Sequence, residues 1–189
     1  AENRKDFNLL KSLAKQAGSI VPEEPLTEEE KTVISNNVAL GALKYSMLSR
    51  DNTKIVTFDW AAALDFNGQA APYIQYAAVR ANSILRKWGQ GLPGVTALAY
   101  ELTPVEVELI DLISRMPKEI QRSAAEFKPL FIANLAFDLA QTFNNFYRQC
   151  PVLQAEDAVR DYRLRLAAAA RQAIVNCMYL LGIETPEIM

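Results

Sequence analysis

Apolar residues recur along most of this chain at intervals of three and four, the spacing of one face of an α-helix. Thr27 and Glu30 stand three apart in "TEEE", and Val33, Ile34 and Val38 begin an apolar face behind them. That pairing is a capping box, which opens a helix through "KTVISNNVALGALKYSML". Thr103-Pro104-Val-Glu106 repeats the device with proline at the first helical position, and Val105, Leu109, Leu112, Ile113 and Met116 follow at helical spacing. Pro117 is expected to close that helix. Another runs from about Ser123 or Pro129 to Arg148, with Phe127, Leu130, Phe131, Leu135, Leu139 and Phe143 as its buried stripe, and Pro151 ends it. The last runs from about Glu156 to Leu181. Tyr162, Leu166, Ala170, Ala173, Cys177, Leu180 and Leu181 share one face, while Arg160 and Arg171 fall together on the opposite one. Gly182 supplies a C-cap and Pro186 forbids continuation.

One stretch departs from this period. "TKIVTFDW" carries a short Ile-Val-Thr-Phe run, which predicts a brief extended segment near 54–58. Asn67-Gly68 is a turn signal, and "GQGLPG", 89–94, reads as a surface loop between helices. The expected fold class is all-α, a helical bundle.

Composition narrows the chemistry. Half of the 189 residues are hydrophobic and 22% are charged, which suits a folded core rather than a disordered chain. No apolar run approaches the ~20 residues that span a bilayer. The start "AENRKDFNLL" lacks the pattern of a secretory signal. Cys150 and Cys177 stand far apart without CxxC spacing, so a reducing cytoplasm is expected rather than a disulfide framework or zinc site. Histidine is absent, which removes Ser-His-Asp, Cys-His and His-metal chemistry. The remaining acidic pairs, Glu106/Glu108 and Asp157/Asp161, read as solvated helix charges.

The net charge of −2 argues against a protein that binds nucleic acid over its whole surface. The basic residues are nevertheless segregated. Between Gln141 and Asn176 five arginines (Arg148, Arg160, Arg163, Arg165 and Arg171) face three acids, and the acids gather elsewhere, in "PEEPLTEEE" and 101–126.

The stretch with the most chemistry is "NGQAAPYIQYAAVRANSILRK", 67–87. Pro72 is placed to start a helix, and Tyr73, Tyr76 and Arg80 then fall on one stripe. Two readings stand. The tyrosines pack in a bundle core with their hydroxyls at the rim, or they form a platform on which unpaired bases stack while the arginine meets phosphate. Ile74, Ala77, Ala81 and Ile84 form an alternative inward stripe, which would leave Tyr73, Tyr76, Arg80 and Lys87 on the flank. A second aromatic and basic cluster lies at "FNNFYRQC", where Phe146 and Tyr147 precede Arg148.

Three blocks together carry a resemblance: "GALKYSMLSRDNTKIVTFDWAAALDFNGQAAPYIQYAAVRANSILRK", "FNNFYRQCPVL" and "RLRLAAAARQAIVNCMYLLGIETPEIM". In this order they resemble the C-terminal part of arginyl-tRNA synthetases, from about Val38 to Met189, including their DALR-type anticodon-binding domain. The resemblance implies a helical segment over 1–66, similar to the end of the synthetase core and stem-contact region, and an anticodon-binding bundle over 67–189. It implies contacts to the anticodon stem-loop of tRNA(Arg) from Tyr73, Tyr76, Arg80, Tyr147 and the terminal Met189, with Arg148, Arg160 and Arg171 as candidate phosphate contacts. The class I signatures of the family's catalytic domain are not in this chain. The ATP and magnesium that such a domain uses are therefore expected of a missing portion, and the chain itself is expected to need no cofactor and to be inactive alone. DNA and membrane are not expected partners. Ala77-Ala78-Val79 and Arg148 depart from relatives, which carry larger residues or histidine there. The alternative is a helical protein-interaction or scaffolding bundle in which the tyrosines only pack.

Overall fold

Both capping boxes form. In a computed structural model that describes residues 26–55, 57–94 and 100–189, the Thr27 hydroxyl accepts from the Glu30 amide while Glu30 accepts from the Thr27 amide. Thr103 and Glu106 do the same. Each cap replaces orphan amide contacts at a helix start and contributes about 1 kcal/mol. They open α1 (Glu28–Leu48) and α4 (Pro104–Glu126); the other helices are α2 (Trp60–Ala63), α3 (Ala71–Trp88), α5 (Leu130–Gln149) and α6 (Asp157–Leu180). All regular structure among the described residues is helical.

The central pair is α5 and α6. Helices α3 and α4 each pack on both members of that pair, and α1 lies across α3 and α5. The expected inward stripe of α3 is correct: Ile74, Ala77, Ala81 and Ile84 are all buried. Small residues also line the inner side of α6, at Ala167, Ala170 and Ala173. Interaxial distance follows side-chain size, so alanines on both helices let α3 and α6 approach closely. At Gly41 α1 comes close to α3. A Cβ there would stand 3.0 Å from Gln75 Nε2 and 3.1 Å from Ile183 Cγ2, so only glycine fits without a shift.

The end of the chain returns along α3. The Ile183 amide donates to the Met178 carbonyl and the Gly182 amide to Tyr179, both at 2.9 Å, with Gly182 at φ +65°. This is a Schellman stop that turns the tail back. Gln75, fully buried, then donates at 2.7 Å to the Glu184 carbonyl and at 3.2 Å to Asn37 in α1.

Several expectations fail. Helix α4 does not stop at Pro117 but continues to Glu126. Pro117 is exposed, so its ring stands in water, and packing on α5 carries the helix through. Phe127 is not in the buried stripe: it is 83% exposed and caps α4 in the left-handed region at φ 53°. Phe131 is half-buried, with the Arg122 guanidinium 3.8 Å above its ring. Val33 and Leu180 are exposed rather than core. Residues 54–55 and 57–58 form no strand; residue 56 lies outside the described residues. Asp51 ties Thr53 into a turn, Ile55 is 99% exposed, and Asp59 caps α2, so no neighbouring strand satisfies an extended ladder there.

Candidate nucleic-acid interface

The tyrosine triple divides. Tyr73 leans inward, its ring 5.5 Å from Phe137 on α5 and packed against the core. Tyr76 and Arg80, one turn apart, turn instead toward the end of α5. The Arg80 guanidinium lies 4.8 Å from the Tyr76 ring and 4.7 Å from the Tyr147 ring, and donates at 2.6 Å to Asn144 Oδ1. The two stretches that stood out in the sequence therefore meet in one cluster, with the arginine bridging two aromatic faces. Each such contact is worth about 0.5–2 kcal/mol, depending on desolvation. The Tyr76 hydroxyl is buried and has no hydrogen-bond partner among the described residues.

The positions that hold this cluster are the asparagines of "FNNFYR", which the sequence reading passed over. Asn144 is 6% exposed and fixes Arg80; Asn145 accepts from Arg148 at 2.5 Å. Arg171 donates in the same way to Asn82. An amide oxygen orients a guanidinium without cancelling its charge. Among the described residues no carboxylate lies within ion-pair distance of Arg80, Arg148 or Arg171. The only sequence signal for this is the adjacency of two amides to an aromatic and basic pair.

Arg160 is different. It pairs with Asp157 at 2.8 Å and Asp161 at 3.3 Å and stacks 4.8 Å from the Trp88 ring. Arg160 and Arg171 do share a side of α6, as their spacing implies, but that side faces α3 and both are partly buried. The stretch leading to Met189 runs along another flank of α3, where Asn82 donates at 3.4 Å to the Glu187 carbonyl. Asn82 lies about 160° round the helix from Arg80. That contact does not bring the tail into the Tyr76–Arg80–Tyr147 stack.

Glu106 is a correction of another kind. It is fully buried, not a solvated helix charge. Arg163 Nε donates to it at 2.7 Å, the Tyr100 hydroxyl at 2.7 Å and the Thr103 hydroxyl at 2.8 Å. Burial would push its carboxyl up, but the hydrogen bonds from Arg163, Thr103 and Tyr100 outweigh it and hold the group below its ordinary range. Tyr100 is pushed up by burial and by the carboxylate beside it. Arg163 lies 57 residues away in the chain, so no local pattern reveals the pair.

Residues 74–189 match the DALR anticodon binding domain. The chain is 42% identical over 185 residues to an arginine–tRNA ligase of Pyrococcus furiosus, covering 92% of this chain and 29% of that protein. It is 40% identical over 182 residues to an arginine–tRNA ligase of Archaeoglobus fulgidus, covering 96% of this chain and 33% of that protein. Among solved structures it superposes on the arginyl-tRNA synthetase of Thermus thermophilus with a TM-score of 0.80 and 32% identity, over 97% of this chain and 32% of that one. With the Plasmodium falciparum arginyl-tRNA synthetase, at 20% identity over 99% of this chain and 31% of that one, the TM-score of 0.79 shows a shared fold. The chain thus belongs to the DALR anticodon binding domain family. It spans about a third of the length of the relatives it matches.

Proposed function

We propose that this chain reads the anticodon stem-loop of an arginine tRNA, as the RNA-binding part of a longer cytoplasmic arginine–tRNA ligase. In that reading residues 67–189 hold the RNA and residues 1–66 lead to a catalytic portion, which joins arginine to tRNA using ATP and magnesium. The observation that carries the reading is the Arg80 clamp. Arg80 keeps its charge while Tyr76, Tyr147 and Asn144 fix its position. An anticodon loop offers splayed bases and phosphates together, and such a clamp offers a π-face beside a fixed cation.

Tyr147 is the residue proposed to stack on a base, with Arg80 and Arg148 supplying charge along the same rim. Tyr73, half-buried against Phe137 two turns earlier on α3, is proposed to meet the stem-loop there rather than at the Arg80 clamp. Arg171, held by Asn82 on the other flank of α3, is proposed to meet phosphate there rather than at the rim. Arg160, already paired with two aspartates, contributes least, and Met189 is proposed to approach the loop from the tail side.

The test is a titration of the chain with an arginine-tRNA anticodon stem-loop at two salt concentrations, followed by fluorescence anisotropy. Binding that weakens as salt rises, and that prefers this stem-loop over a hairpin with another anticodon, is the expected result. Equal binding to both hairpins, or none at low salt, would overturn the reading.

A further inference from the structure

Helix α1 is apolar on two opposite sides. Val38, Gly41, Ala42 and Tyr45 face α3 and α5 and are buried. Val33, Leu40, Leu43 and Met47 are 58%, 54%, 41% and 55% exposed. At 3.6 residues per turn these four fall within an arc of about 80° directly opposite the buried side. Contiguous apolar surface of this kind on a folded protein marks an interaction site.

We infer that the outward face of α1 is the seat of the remaining portion of a longer polypeptide to which this chain belongs. The occupant is in the same chain and presents an apolar surface. Two observations choose it. The chain spans about a third of the length of its relatives, so most of each relative lies outside the region matched here. The same arc carries Glu29 and Asn36 and no lysine or arginine, which is the wrong chemistry for RNA. The inference rests on the reading that the chain is one part of a longer ligase.

The experiment is thiol labelling. Leu40→Cys and Met47→Cys are made in this chain and in the longer protein, with Gln121→Cys on exposed α4 as the control. The native Cys150 and Cys177 are buried and contribute little background. In this chain alone Leu40→Cys and Met47→Cys should react at the rate of an exposed thiol. In the longer protein both should react about tenfold more slowly or less, while Gln121→Cys is unchanged. Val33→Cys, on the same arc, replaces either variant if it fails to fold. Equal rates in the two proteins, or equal protection at Gln121→Cys, overturn the proposal. Protection in this chain alone that grows with its concentration assigns the face to a second copy and overturns it. Protection produced by adding the stem-loop assigns it to RNA and also overturns it. Stem-loop titration decides the RNA reading separately. A chain that binds no stem-loop, yet is protected at Leu40→Cys in the longer protein, loses that reading and keeps this one.

Discussion

Arg163 and Arg80 both lean on tyrosine rings, Arg163 at 5.7 Å from Tyr100 and Arg80 at 4.8 and 4.7 Å from Tyr76 and Tyr147. Their remaining partners separate them. Arg163 meets the buried carboxylate of Glu106, and together the two are neutral. Arg80 meets the amide oxygen of Asn144 and stays cationic. The first arrangement fastens the start of α4 to α6 and leaves nothing for a ligand. The second holds a charge in one place without using it up. The two sites thus differ by acceptor: a buried carboxylate makes Arg163 part of the framework, and an asparagine leaves Arg80 available.

The sharpest way to break the comparison is at the framework site. Arg163→Ala strands Glu106 as an unpaired buried charge, and removing one member of such a pair costs about 3–5 kcal/mol. A urea melt should show that loss. Stem-loop affinity, measured where the variant is still folded, should stay at the wild-type value.

Acidification is a gentler form of the same break. The folded-state pKa of Glu106 is depressed, so its contribution is complete above the ordinary carboxylate range, about pH 4–5, and is lost as pH falls through the folded value. The melting temperature should fall on that acid limb. Glu106→Gln, less stable at neutral pH, should show a shallower fall.

At the rim the order of effects should reverse. Tyr147→Ala should weaken stem-loop binding by about 1–3 kcal/mol, the worth of a base stacked on an aromatic ring. Its urea midpoint should move far less than that of Arg163→Ala, and Tyr147→Phe should keep most of the affinity. The smallest change is the most specific. Asn144→Asp gives Arg80 the kind of partner Arg163 has. Stability should hold or rise by up to about 1 kcal/mol, while affinity falls and its salt dependence becomes shallower. Unchanged binding by Asn144→Asp would mean that the availability of the Arg80 charge is not what the rim uses.

Much of the framework was legible from local pattern. The two capping boxes and the Ile74, Ala77, Ala81, Ile84 stripe depend only on neighbours within a turn or two, and they form as read. What was not legible depends on distant partners. Glu106 looks like any helix glutamate until Arg163 arrives from α6, and Pro117 looks like a stop until α5 holds the helix beyond it. The candidate site was half legible. Tyr76, Arg80, Tyr147 and Arg148 announce themselves by residue type. Asn144 and Asn145, which decide how two of the arginines are held, carry no such signal because an amide side chain has many uses.

Gln75 joins residues that synthesis makes far apart in time. One of its acceptors, the Asn37 carbonyl, belongs to the first described helix, and the other, at Glu184, lies five residues from Met189. While the chain is being made, Gln75 can be enclosed from one side only. Its second acceptor emerges from the ribosome among the last residues of this sequence. The helix that carries Tyr76 and Arg80 thus reaches its final packing only when the tail is delivered. A truncation that removes the residues after Gly182 leaves that polar side chain facing an open seam.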